Sequence, residues 1–325
     1  MSAGRKFWAI VCCGLCMFFP WAASGCSARG NFGVDSGIYL ITKGSDSVFW
    51  RSVKSGADAA AAEYNVKVTF LEPSSEEAES EQNAYFEKAI AEKPAAVAIS
   101  AISYEGSAAY IDRMAAAGIH VIMFDSGSKS DRAAAEIMID NFESGRSAFF
   151  ALRELTNEKI VAGIVSPYEQ TGNGAERVNG FLSAAREDGN AEIVATENVV
   201  SNTADAALRV EKMLEKFPAI NAMAAFNEWT TLGAGTAVES TGNQQKINVV
   251  GFDNNVTSIE HLEKGALDAL VVQNPYAMGY YSVQNAYLYA TGKLKKKNSV
   301  RVDTVVATRE NMYSEKVDRL LFPFA

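Results

Sequence analysis

Five polar residues spread through the 325-residue chain, Asp125, Arg177, Asn227, Asp253 and Gln273, offer two carboxylates, two carboxamides and a guanidinium. A hydroxyl donates and accepts at once, so a molecule carrying several of them is held by groups of these kinds, often two hydroxyls to one carboxylate or guanidinium. Each of the five stands at or just after an apolar run or at the start of a helical pattern, where a side chain can point at a ligand. Phe49, Trp50 and Trp229 add aromatic faces on which the C–H surface of a sugar ring packs. Two large aromatics side by side cannot both lie on one helical stripe, so one of the Phe49–Trp50 pair is expected to face a cleft. Lys43, Ser47 and Ser100 complete the candidate set as polar residues at strand ends. Plainer readings stand beside these: Asp125 and Asp253 as turn caps, Lys43 as a surface lysine, Phe49 as ordinary core.

Little in the chain supports catalysis. His120 lies in a strand-like run and His261 on a helix expected at the surface, and neither has metal-ligand spacing to Cys, Asp or Glu. There is no phosphate-cradling P-loop and no Gly-x-Ser-x-Gly elbow. Asp125 and Asp253 as the acid–base pair of a glycosidase is the one enzymatic reading. No cofactor and no metal are expected.

The stretch that organises the rest runs from Tyr39 to Tyr64. Residues 37–42 read as a buried strand, and Ser45, Asp46 and Ser47 offer helix caps ahead of Phe49, Val53, Ala57, Ala60, Ala61 and Tyr64, spaced along one helical face. Further strands are expected at 66–71, 96–100, 119–124 and 136–139, with helices at 76–92, 106–117 and 143–155. The alternation then restarts, with strands at 160–165, 193–196, 222–226 and 248–252 between helices at 174–188, 204–217 and 230–239. This is the pattern of parallel βαβ units. It is used twice, so two doubly wound α/β lobes are expected, with a cleft where the carboxyl ends of their strands meet.

Residues 1–25 stand apart from that pattern. Arg5 and Lys6 precede an apolar run over 7–23, and Ala22, Ala23, Ser24 and Gly25 lead into Cys26, the layout of a secretory signal. A single membrane-spanning anchor is the alternative. The Ser24-Gly25-Cys26 ending resembles a bacterial lipobox, in which Cys26 is lipidated and becomes the first residue, although Ala23 stands where leucine is usual. Cys12, Cys13 and Cys16 leave with the signal, so no disulfide is expected. Residues 26–35 read as a tether. The mature chain keeps 28 basic residues against 39 acidic, a net charge of −11, which disfavours a nucleic-acid partner. Lys293 to Lys297 is the one basic run, read as a solvated loop.

Taken together, the segments resemble the type I periplasmic sugar-binding proteins of the ribose- and galactose-binding class. The resemblance is carried by Phe49-Trp50, by Ile119-His120-Val121-Ile122-Met123-Phe124-Asp125 and by Glu176-Arg177-Val178-Asn179-Gly180-Phe181. It continues in Phe226-Asn227-Glu228 with Leu232-Gly233-Ala234, in Val249-Val250-Gly251-Phe252-Asp253 and in Val271-Val272-Gln273-Asn274-Pro275. It implies two Rossmann-like lobes joined by a three-segment hinge near Asp140, Gln273 and Val302. The first lobe would hold 36–140 plus 274–301, the second 141–273 plus 302–325. It further implies a monomer that captures a small sugar or polyol and presents it to an ABC permease with its cytoplasmic ATPase, held at the membrane by lipid on Cys26. Ser126 stands where many members carry arginine, and Ser201-Asn202-Thr203 where an aromatic is usual. Lys43 with Phe124-Asp125-Ser126 resembles the autoinducer-2-binding branch, so a signal-molecule receptor or a sensor docking on a chemoreceptor or kinase is the alternative. A repressor of the same core would need a helix-turn-helix where the signal stands.

Overall fold

The computed structural model describes residues 37–168 and 170–322, so the expected signal, tether and lipidated Cys26 lie outside the described residues. Two six-stranded sheets form the frame. The first takes β1 (Ile38–Ile41), β2 (Val68–Leu71), β3 (Ala96–Ile99), β4 (His120–Phe124), β5 (Ala135–Met138) and β11 (Asn298–Arg301), in the order β11-β5-β4-β3-β1-β2. The second takes β6 (Ile160–Ser166), β7 (Ala191–Asn198), β8 (Ala222–Ala225), β9 (Asn248–Phe252), β10 (Ala269–Val272) and β12 (Val305–Thr308), in the order β12-β10-β9-β8-β6-β7. The two orders are the same pattern. All pairings are parallel except β10 with β12.

Central strands such as Ile38–Ile41, Ala96–Ile99 and Ala269–Val272 are buried on both faces, as their unbroken apolar sequences require. Helices cover both faces: α1 (Val48–Tyr64), α2 (Glu79–Glu92), α3 (Ala108–Ala116) and α9 (Pro275–Ala290) belong to the first lobe. The second has α4 (Asn141–Leu155), α5 (Gly172–Asp188), α6 (Thr203–Lys216), α7 (Glu228–Ser240), α8 (Val256–Lys264) and α10 (Glu315–Leu321). The chain passes between sheets three times, over 139–140, 273–274 and 302–304.

The duplication extends to detail. In the first lobe α1 crosses α9 so closely that a Cβ on Gly56 would strike the Tyr276 carbonyl, and one on Gly279 the Val53 carbonyl. In the second lobe α4 crosses α5 the same way, Gly145 against the Arg177 carbonyl and Gly180 against that of Phe142. Asp125 follows β4 and Asp253 follows β9, the matching strand of the other sheet, and both adopt left-handed backbone, φ 57° and 66°. Each Asp N–H donates to the neighbouring strand, Asp125 to the Ile137 carbonyl at 3.1 Å and Asp253 to that of Val271 at 3.0 Å.

Several element starts differ from the sequence reading. α4 begins at Asn141 rather than 143, because Asp140 caps it by accepting from Glu143 N at 3.0 Å. α7 begins at Glu228 rather than 230, because Asn227 and Thr230 form a reciprocal capping box. His261, expected at the surface, is buried, its Nδ1 3.2 Å from Glu239 and its ring packed over Gly235.

Candidate functional site

The strand ends of both sheets deliver the polar residues to one place. In the first lobe, Ser47 caps α1 by accepting from Trp50 N at 3.2 Å, which fixes where Phe49 and Trp50 leave the helix. Both rings are buried and meet edge to face, centroids 5.0 Å apart, and both border the same cavity as well as the core. The Trp50 indole donates to Glu76 at 2.9 Å. Asp125 accepts from Ser100 Oγ at 2.7 Å and from Asn173 Nδ2 at 3.0 Å, and Lys43 Nζ lies 3.1 Å from its Oδ2. Lys43 also donates to Asn173 Oδ1 at 3.4 Å, so this ion pair is tied to the second lobe.

In the second lobe, the Arg177 guanidinium is wholly buried over the Phe252 ring, donating through Nε to Asn141 at 2.9 Å and through Nη1 to the Phe226 carbonyl at 2.8 Å. Its Nη2 has no partner within the protein. Gln273 donates to Asp253 Oδ1 at 2.6 Å, leaving its own Oε1 unpartnered, and the Trp229 indole N–H is likewise buried and unpaired. Asn227 spends its Oδ1 on the cap of α7, accepting from Thr230 N at 3.0 Å, and the residue lines the same cavity.

These side chains line one shared cavity. Ten of the eleven residues singled out in the sequence are on its wall: Lys43, Ser47, Phe49, Trp50, Asp125, Arg177, Asn227, Trp229, Asp253 and Gln273. Ser100 stands behind Asp125, fully buried, and orients it. Three wall residues were missed: Glu76, Asn173 and Glu228. Asn173 could have been found, since it precedes Arg177 by one helical turn and shares its face. Glu228 directly follows Asn227. Glu76 lies among Glu72, Glu77, Glu79 and Glu81, and no pattern separates it from them.

Burial dominates the electrostatics. It pushes the Asp253 carboxyl up to about 6; Glu228 and Asp125 add to the rise, while Arg177 and the Gln273 hydrogen bond oppose it. Burial also raises Glu76, against the pull of Lys43 and of the Trp50 indole. Glu228 is raised by burial too, against its hydrogen bonds from Asn255, Phe49 N and Val48 N. Among the described residues no three His, Cys, Asp or Glu side chains are grouped so as to hold a metal ion.

Two like lobes closing a polar, aromatic-walled cavity between their strand ends define a solute-binding cleft. The chain belongs to the periplasmic binding protein domain family, whose profile matches residues 38–294. It is 23% identical over 249 residues to the ribose import binding protein of Bacillus subtilis (strain 168), spanning 77% of this chain and 80% of that one. To the D-allose-binding periplasmic protein of Escherichia coli (strain K12) it is 24% identical over 248 residues, spanning 74% and 80%. Among solved structures it is similar to a carbohydrate transporter solute binding protein from Agrobacterium radiobacter in complex with D-arabinose. That match has 27% identity and a TM-score of 0.84 over 87% of this chain and 98% of that one. An ABC transporter solute binding protein from Agrobacterium vitis with bound D-fucose gives 26% identity and a TM-score of 0.84 over 87% and 99%. Family membership places the protein outside the cytoplasmic membrane, as an exported periplasmic protein.

Proposed function

We propose that the protein captures a single small sugar between its lobes and delivers it to an ABC importer. One observation carries the reading: Arg177 Nη2, Trp229 Nε1 and Gln273 Oε1 are buried, lack any partner in the protein and belong to residues lining one cavity. Unpaired buried polar groups are expensive unless a ligand satisfies them. In the bound state a sugar hydroxyl accepts from Arg177 and Trp229, others donate to Gln273 and Asp253, and the ring's C–H face packs on Phe49 or Trp50. The relatives named for ribose and allose and the neighbours bound to arabinose and fucose support a single small sugar as the ligand. Lipid on Cys26 tethers the monomer to the membrane surface beside its permease; two or three acyl chains anchor firmly.

A thermal-shift series with D-ribose, D-arabinose, D-allose, D-fucose and autoinducer-2 tests the reading, because a ligand that binds only the folded state raises the midpoint by mass action. A shift with one or more sugars, abolished by Asp253→Ala, is expected; silence with every sugar overturns it. The second reading, a receptor for an autoinducer-2-like signal, is favoured by Lys43, whose ammonium sits on the cavity wall paired with Asp125. A response to autoinducer-2 alone, lost in Lys43→Ala, would select it.

A further inference from the structure

We infer that Glu228 is a positioning residue that helps hold the lobes in the capturing arrangement, a strut across the cleft that does not itself grip the ligand. The inference rests on reading the cleft as a sugar-capture site. Glu228 is the first residue of α7 in the second lobe and only 7% exposed. Its Oε1 accepts from Val48 N at 3.3 Å and its Oε2 from Phe49 N at 3.3 Å, both on α1 of the first lobe. On its own side Asn255 Nδ2 donates to Oε1 at 3.0 Å and keeps the carboxylate aimed.

The opening N–H groups of a helix have no partner inside it. In α1, Ser47 Oγ takes the N–H of Trp50, and Arg51 N already reaches the Ser47 carbonyl at 3.2 Å. That leaves Val48 and Phe49, and the second lobe supplies one carboxylate for both. The positive end of the helix adds a favourable field for an anion there. When the cleft opens, water can serve all three groups. When it closes, water leaves, and Glu228 keeps the buried Phe49 N–H and the half-buried Val48 N–H from going unpaired. Asn173 also reaches across the cleft, donating to Asp125 at 3.0 Å and accepting from Lys43 at 3.4 Å, and further bonds lie toward the rim. Glu77 accepts from Ser201 N and Oγ, each at 2.8 Å, and Tyr104 N donates to the Gln170 carbonyl at 3.0 Å. Glu77 and Tyr104 are more open to water than Glu228, so these bonds hold closure less strongly. With both oxygens engaged by protein, Glu228 has a task distinct from that of Arg177 or Gln273, whose free atoms wait for ligand.

Two substitutions remove the strut from opposite sides. Glu228→Ala deletes the acceptor. Val48→Pro deletes one donor and leaves the helix intact, since proline is accepted at the first helical position. Ser47 before it is already extended, φ −91° and ψ 161°, as a residue preceding proline must be. Amide hydrogen exchange on the full chain, with D-ribose, D-arabinose, D-allose and D-fucose as ligands, reads the outcome. In Glu228→Ala, exchange of the Phe49 amide is expected to quicken by roughly 10- to 100-fold while β3 and β8 keep their protection. Dissociation constants for whichever sugars bind should rise by one common factor, since closure is shared by all. Val48→Pro should weaken binding less than Glu228→Ala, and the double variant should be no worse than Glu228→Ala alone. Unchanged Phe49 exchange would overturn the inference, as would affinity losses that differ tenfold between sugars or effects of the two substitutions that add in full. If Glu228→Ala does not fold, Val48→Pro decides alone by the same common-factor criterion. If no sugar binds the unaltered protein, the capture reading fails, and Phe49 exchange in the ligand-free variants still decides the strut.

Discussion

Asp253 shows how the site trades stability for binding. In the folded protein its carboxyl titrates at about 6 against an ordinary 3.8, burial being the largest cause. Between those values the folded form holds the proton that the unfolded chain has released, so this group's contribution to stability falls as pH rises and levels off above about pH 6. Asp253→Asn removes the charge and keeps the shape, and asparagine tolerates the left-handed backbone there. Urea unfolding at about pH 7.5 should find the variant more stable by on the order of 2–3 kcal/mol, with the gap closing towards about pH 4. Sugar binding should move the opposite way: lost in the variant, and in the unaltered protein declining below about pH 6 as the carboxylate is neutralised. Titration calorimetry across that range checks both. Trp229 offers a second test at this scale. Trp229→Phe keeps a ring and deletes the unpaired N–H, and should lower affinity by roughly 3- to 10-fold while the ligand-free protein, relieved of an unpaired buried donor, unfolds no more readily.

At the scale of elements, the close helix crossings set the shape on which those residues ride. Gly180→Ala pushes a methyl into the Phe142 carbonyl, and because backbone cannot step aside cheaply, a loss of about 2–4 kcal/mol in denaturant unfolding is expected. Gly56→Ala should do the same in the first lobe. A sequence reader sees glycines here and no reason for them, since the partner helix lies elsewhere in the chain: Gly56 faces Tyr276. The buried strands were legible because each is a short apolar run bounded by turn residues, and the site residues after β4 and β9 were legible because they end such runs. Asp140 and Asn227 misled in a particular way. Both cap helices: Asn227 reads in sequence as a ligand contact and Asp140 as a hinge position, so the starts of α4 and α7 were placed two residues late. His261 was misplaced because the space it fills is made by Gly235 on another helix, which periodicity within its own segment cannot report.

The molecule as a whole is two copies of one plan interleaved by three crossings, and small-angle scattering should register its closure as a fall in radius of gyration when a sugar is added. Glu228→Ala should leave the ligand-free protein more extended than the unaltered one, and a saturating sugar should return both to the same compact form. The interleaving has another result. The core of the first lobe is sealed by Met278, Val283, Ala286 and Tyr289 of α9, and its sheet is finished only by β11 at Asn298–Arg301. Everything from α4 to β10 is threaded before those pieces appear. A chain emerging from the ribosome amino end first therefore cannot complete its first half until nearly the last of it has been made, and the long loop that must close makes that completion slow. For an exported polypeptide, this ordering delays compaction through connectivity alone.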